Sequence, residues 1–300
     1  MTVRRPNPVV DRYSPDILTL VTLGAIYPLH RQTGHELLYL ENGSGLLYVD
    51  GSVRTLTPGD LVFIERDTTH GFVFSPDARC LLAGIQGGLT PQFTDFITQL
   101  CLPFFIVPRA TDDPQTARTI RYMLTHPSDM KTGVKLMSEL GTLLDRITSR
   151  LELSHRLPRK GKLTLTDRLA QAEYREIDQQ KPSLEHLAHA LELSPTYVSR
   201  SMKPLTGLSF PDYMALTRID GARRLLVQSD KKIGDIARMC GYTSIRTFNR
   251  HFLHIVGCTG SEYRQRCGQT QIVTFDSPAL RPVLTAFYEQ LVDNGPLPTD

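Results

Sequence analysis

Leu184–Gly207 reads LEHLAHALELSPTYVSRSMKPLTG, and Ile233–Gly257 reads IGDIARMCGYTSIRTFNRHFLHIVG. Leu184, Leu187, Ala188, Leu191 and Leu193 recur 49 positions on as Ile233, Ile236, Ala237, Cys240 and Tyr242. Val198, Arg200, Met202, Leu205 and Gly207 recur 50 positions on as Phe248, Arg250, Phe252, Ile255 and Gly257. The apolar members fall at helical spacing on either side of a short break. The offset changes by one residue at that break, where a turn belongs. Two copies of a helix–turn–helix unit therefore lie in one chain, which would let a DNA reader enter two grooves without a partner subunit.

Local signals support each unit. Ser183 is placed to cap the first helix, and Ser194 followed by Pro195 is a cap with proline at the first helical position. In the second unit Gly241 ends one helix and Thr243 or Ser244 restarts the chain. On the second helix of each unit, Val198, Ser201 or Met202, and Leu205, and likewise Phe248, Phe252 and Ile255, are expected to face inward. That leaves Thr196, Ser199, Arg200 and Lys203, and Ile245, Arg246, Asn249 and Arg250, for the major groove. Arg reads guanine, Asn reads adenine and Ile packs on a thymine methyl. The intervening Phe210–Val227 is an 18-residue helix, ~27 Å at ~1.5 Å per residue, close to one duplex turn once the units' own width is added. Its Arg218, Arg223 and Arg224 are expected to reach phosphates.

Charge follows the same division. Residues 156–268 carry 19 Lys/Arg against 11 Asp/Glu, a net +8, while residues 1–155 carry 14 against 16 and residues 269–300 carry 1 against 4. The positive excess sits where a polyanion would bind. There is no 18-residue apolar run for a membrane helix and no signal-peptide pattern. Five cysteines form no CxxC pair, which suits a reducing cytoplasm and argues against a zinc finger. No P-loop or GxGxxG is present, and no cofactor is expected.

Before the repeat the chain reads β, then α. Leu37–Leu40, Gly45–Val49, Leu61–Phe63, Phe72–Phe74 and Cys80–Ile85 are short apolar runs separated by turn sequences such as Asp50-Gly51. Such strands predict a small barrel or sandwich. Helices are predicted near 91–101, 114–125 and 132–153. The last carries Val134, Met137, Leu140, Leu144, Ile147 and Leu151 as a stripe for core packing or a dimer seam. Ser154–Leu165 reads as a linker. Residues 271–300 hold one strand, Ile272–Phe275, and a helix over about 279–292, expected to pack against the DNA-reading half.

The doubled pattern over 183–266 resembles the AraC/XylS family of bacterial transcription regulators. The resemblance implies a seven-helix DNA-binding domain with one recognition helix per unit, the residues named above at the groove. The chain departs from the family pattern at Glu192, where Gly is common, at Met202, where Phe is usual, at Gly260, where Pro is usual, and at Pro204, which is expected to shorten the first recognition helix. Gly24-x5-His30-x-Gln32-x3-Glu36-x6-Gly43 and Gly59-x5-Glu65-x-Asp67-x2-His70 resemble the two cupin motifs, with Gln for one His.

The fold class expected is therefore α+β in two domains. Residues 1–153 form a cupin-like β-barrel with appended helices for effector binding and dimerisation. After a 154–165 linker, residues 166–268 form the all-α DNA-binding domain, and 269–300 a C-terminal extension. Tyr27, His30, Arg31, Gln32, Glu36 and His70 are the candidate effector contacts, with no metal assigned. The function expected is a cytoplasmic, ligand-responsive transcriptional activator. Its partners would be promoter DNA, a small-molecule effector of sugar type, RNA polymerase and a second copy of the chain, without a membrane. Two alternatives stay open: a metal-dependent cupin enzyme fused to a DNA-binding module, and an effector-free regulator whose barrel only dimerises.

Overall fold

A computed structural model describes residues 17–31, 34–49, 51–85, 103–125, 133–150, 165, 168–169, 183–268, 272–274 and 276–294. The predicted helix at 91–101, residues 1–16, most of the linker and Gln32 lie outside them. Nine strands come from the first half: β1 (Ile17–Leu23), β2 (Ile26–His30), β3 (His35–Asn42), β4 (Gly45–Val49), β5 (Ser52–Leu56), β6 (Leu61–Ile64), β7 (His70–Phe74), β8 (Arg79–Ile85) and β9 (Phe104–Val107). With β10 (Ile272–Thr274) they make two facing sheets rather than one closed cylinder. Their orders are β10-β1-β8-β3-β6-β9 and β2-β7-β4-β5.

The alternation of side chains along each strand explains why these strands read as unbroken apolar runs. Leu38, Leu40, Val62, Ile64 and Leu82 point between the sheets, where they meet Leu47, Val49, Phe72 and Phe74. Their neighbours Leu37, Tyr39, Leu61, Phe63, Leu81 and Ala83 face the other way and are covered by α1 (Pro114–Thr125) and α2 (Gly133–Arg150). Both faces of the larger sheet are thus dry. Leu140 and Leu144, fully buried in this layer, assign that part of the α2 stripe to the chain's own core rather than to a dimer seam. The other stripe side chains lie outside the described residues. Asp113 accepts from the Thr116 amide at the start of α1 and from Arg146 of α2, so one carboxylate ties the two helices. Those bonds hold it well below the usual carboxylate range.

The second half contains α3 (Leu184–Leu191), α4 (Pro195–Thr206), α5 (Phe210–Gln228), α6 (Ile233–Met239), α7 (Ile245–Val256) and α8 (Gly260–Gly268). The break after α3 is bonded as it is after α6: Leu193 N–H donates to Ala188 O, and Tyr242 N–H to Ala237 O, both at 2.9 Å. The break requires a left-handed residue, supplied by Gly241 at φ +79° and by Glu192 at φ +57°. Glu192 thus adopts the glycine conformation, at a cost of about 1 kcal/mol. Contrary to the expectation for Pro204, α4 continues through it to Thr206, and Gly207 N–H closes the end on Lys203 O. Pro204 lacks an N–H and so removes one interior bond near the C-terminus of the helix, too little to end it.

The C-terminal extension does more than pack on the DNA-reading half. β10 joins the N-terminal sheet beside β1, and α9 (Arg281–Asn294) lies against β2, β5 and β7. One continuous buried core runs from the sheets into the helices. Among the described residues no helix is long and apolar enough to cross a membrane.

Candidate nucleic-acid interface and effector site

The two recognition helices start alike. Ser194 Oγ accepts from Tyr197 N–H at 3.2 Å and Ser244 Oγ from Thr247 N–H at 3.4 Å. These caps fix the helix phase, and the buried residues fix its face. Val198, Met202 and Leu205 on α4, and Phe248, Phe252 and Ile255 on α7, are buried. The helical repeat then turns Thr196, Ser199, Arg200 and Lys203, and Ile245, Arg246, Asn249 and Arg250, to solvent, where all eight are exposed. Ile245 keeps 48% of its surface accessible, high for a branched aliphatic residue. Two exposed residues on these helices were missed by sequence reasoning: Tyr197 at 47% and Leu253 at 52%. The signal for Leu253 was present, since it stands 50 positions after the outward Lys203. Phe248, Phe252, Tyr242 and Tyr263 form a chain of tilted and edge-to-face rings behind α7, a stiffer backing than Met202 provides behind α4.

The three arginines on α5 do not share one role. Arg218 lies 5.8 Å from the Tyr242 ring centroid and is partly exposed. Arg223 is completely buried, ion-paired with Asp220 at 2.7 Å and bonded to the Asp276 carbonyl. The expectation that Arg223 reaches a phosphate is therefore corrected: a guanidinium with no exposed surface is a structural tie. Arg224 is half-buried, and its charge bears on His30 of β2. Any Arg on an amphipathic helix reads as solvated, so nothing local marked either one.

At one end of the sheets, His30, Glu36 and His70 converge, with ligand atoms all within 4.8 Å of one another. β2 and β7 bring His30 opposite His70, and their rings lie 4.2 Å apart. His70 is fully buried, with Nε2 2.8 Å from Glu36 Oε2 and Nδ1 2.9 Å from Thr68 O. The Tyr27 ring lies tilted against His30 with centroids 4.4 Å apart, and Arg31 Nε donates to Thr69 Oγ1 at 2.9 Å. The structure thus brings five of the six candidate effector residues together. Burial first, and then the neighbouring His70, hold His30 well below the usual imidazole range, so it is neutral near pH 7. Two imidazoles and a carboxylate fit a borderline divalent ion by donor type, and such an ion would replace the Glu36–His70 hydrogen bond.

The family profile described as a helix-turn-helix domain matches residues 187–266, and one described as a cupin domain matches residues 18–83. The chain thus carries an AraC-type helix-turn-helix domain and a cupin domain. It is a DNA-binding transcriptional regulator. The regulator is 25% identical over 258 residues to the transcriptional activator RhaS of Escherichia fergusonii, covering 80% of this chain and 88% of the relative. It is 21% identical over 267 residues to the transcriptional activator RhaR of Mannheimia succiniciproducens, with the same coverage. An apo ToxT variant from Vibrio cholerae matches it in fold, with TM-score 0.51 at 12% identity over 84% of this chain and 98% of that one.

Proposed function

We propose that this regulator is a cytoplasmic, effector-responsive activator that reads a bipartite promoter site with α4 and α7. The observation that carries the reading is the pair of capped helices turning Arg200 and Arg246, Asn249 and Arg250 outward from a buried core. The aromatic backing of α7 and its four reading side chains make it the principal reader of bases. α4, with Arg200 as its one outward arginine beside the small Thr196 and Ser199, makes the weaker contact. Residues 1–153 serve as effector and dimerisation domain, 154–165 as linker, 166–268 as DNA-binding domain and 269–300 as a C-terminal extension. Two relatives named as transcriptional activators support activation, with RNA polymerase as the further partner. The effector enters where Tyr27, His30, Arg31, Glu36 and His70 converge. That set of donors and acceptors suits a polyhydroxylated metabolite of sugar type.

Selection of binding sequences from a random duplex pool tests the DNA reading. The enriched site should contain two blocks about one turn, ~10 bp, apart, with the stronger one lost in Arg250→Ala. A pool that yields no enrichment, or a single block indifferent to Arg250, contradicts it. The closeness of His30, Glu36 and His70 favours one other reading, a metal-dependent enzyme fused to a DNA-binding module. Stoichiometric metal in the purified chain together with turnover would support that reading. Metal-free protein that binds the selected site would end it.

A further inference from the structure

The C-terminal segment is unused by the DNA interface, yet it bonds to both halves of the molecule. β10 pairs in parallel with β1, Val21 opposite Ile272 through Leu23 opposite Thr274. Just beyond it, Asp276 meets two arginines. Its carbonyl accepts from the buried Arg223 of α5, and its carboxylate accepts from Arg281 Nε at 2.7 Å. The other nitrogens of Arg281 donate to the carbonyls of Phe74, at the end of β7, and of Gly24, between β1 and β2, at 2.6 and 2.5 Å. The first residue of α9 is thus fastened to the sheets on one side and, through Asp276, to α5 on the other.

Two turns later α9 repeats the arrangement with aromatic residues. Tyr288 is fully buried, and its hydroxyl donates to Tyr27 O at 2.8 Å. The hydroxyl fills the space over Gly71 of β7 that a Cβ would occupy. Phe287 meets unit one: a Cβ built on Gly207, the cap of α4, would lie 2.8 Å from its ring. From α5, the buried Tyr213 donates to Leu29 O at 2.6 Å. β2 is an edge strand of its sheet. Its carbonyls at Tyr27 and Leu29 are therefore held by hydroxyls from α9 and α5, while its Tyr27 and His30 side chains belong to the effector site.

We propose that residues 272–294 form an interdomain clasp, and that β2, gripped by the clasp and by Tyr213, carries occupancy of the effector site to unit one. An effector that binds two arrangements of β2 unequally would then bias how α4 is presented. The clasp stands on the contacts alone, whereas its control of DNA docking rests on the reading of α4 given under Proposed function.

Hydrogen exchange followed by mass spectrometry on the full chain, without ligand, tests the clasp. Tyr288→Phe and Tyr213→Phe each remove one oxygen and keep the ring, so the fold is retained. Each should speed exchange of the β2 amides about 5-fold, the worth of one lost hydrogen bond. Tyr288→Phe should also speed exchange at the C-terminal turn of α4 and leave α7 unchanged. Unchanged β2 exchange in both variants overturns the clasp. Footprinting on the duplex selected by the unaltered chain tests the relay. Tyr288→Phe should need roughly 5-fold more protein to protect the unit-one block, with the unit-two block unaffected. Equal protection of both blocks beside altered β2 exchange overturns the relay and leaves the clasp. Failure of the unaltered chain to select any duplex counts against the DNA reading and does not touch the exchange result.

Discussion

Gly207 and Gly257 hold the same place in the two units and make a matched pair for substitution by alanine. Each is a left-handed helix cap at φ +79°, with its N–H bonded at 2.9 Å to the carbonyl four residues back. A Cβ in that conformation costs about 1–2 kcal/mol at either position. The surroundings differ. At Gly257 the new carbon would meet nothing nearer than Pro278 Cγ at 3.7 Å, an ordinary van der Waals distance. At Gly207 it would lie 2.8, 2.9 and 3.2 Å from Cγ, Cβ and Cδ1 of Phe287, so α9 must shift. Overpacking of that kind adds about 1–3 kcal/mol. Gly257→Ala should thus lose about 1–2 kcal/mol and Gly207→Ala about 2–5 kcal/mol, read from urea unfolding of the full chain. In Gly207→Ala/Phe287→Gly, which removes Cβ of residue 287 as well as its ring, the carbon has room, so the double variant should fall short of the sum of the singles by about 1–3 kcal/mol. Equal losses at the two glycines, or an additive double variant, would refute the seating of Phe287 on unit one.

Arg246→Ala and Arg250→Ala should each weaken binding to the selected duplex by about 1–3 kcal/mol, by fluorescence anisotropy. Affinity should also fall steeply with salt; a flat salt response or two neutral variants would remove α7 from the groove. Leu144→Ala, at a fully buried site under the larger sheet, should cost about 2–5 kcal/mol of stability and leave the mass by light scattering unchanged. A shift toward monomer without loss of stability would return Leu144 to a dimer seam. Burial pushes the Asp220 carboxyl up to about 6 against the pull of Arg223 and Arg224. The folded chain then holds a proton that the unfolded chain, titrating near ~3.9, has released. The stabilisation is full below about pH 4 and declines as pH rises toward 6. Asp220→Asn keeps an acceptor for Arg223 and should flatten that part of the profile of urea midpoints against pH; an unaltered slope would show that Asp220 does not titrate there.

Most elements were legible because their causes are local. The helix at Pro114–Thr125 and both recognition helices follow from caps and apolar spacing. β1 was overlooked because the threonines of ILTLVTL stand three apart, so the stretch shows neither strict alternation nor an unbroken apolar run. β2 was hidden by Pro28, which cannot donate to a ladder. The strand tolerates it because it is an edge and its register shifts between Tyr27 and His30. In the effector site the cupin spacing pointed to His30, Glu36 and His70, but not to Arg224 of α5, whose charge bears on His30.

The sequence by itself determined the double helix–turn–helix, because a 3.6-residue period, a capping serine and a left-handed turn position are each specified within a few neighbouring residues. It also determined which side chains α4 and α7 leave outside, since burying one face of a helix exposes the other. Only the tertiary structure decided what the remaining polar groups do. Arg223 became a buried tie, Arg281 reached back to Phe74 and Gly24, and Tyr213 and Tyr288 took the carbonyls of β2. These bonds join residues some 50 to 260 positions apart, and each depends on where the sheets and helices come to rest against one another. A long-range hydrogen bond leaves no periodicity in the chain, whereas a helix face does.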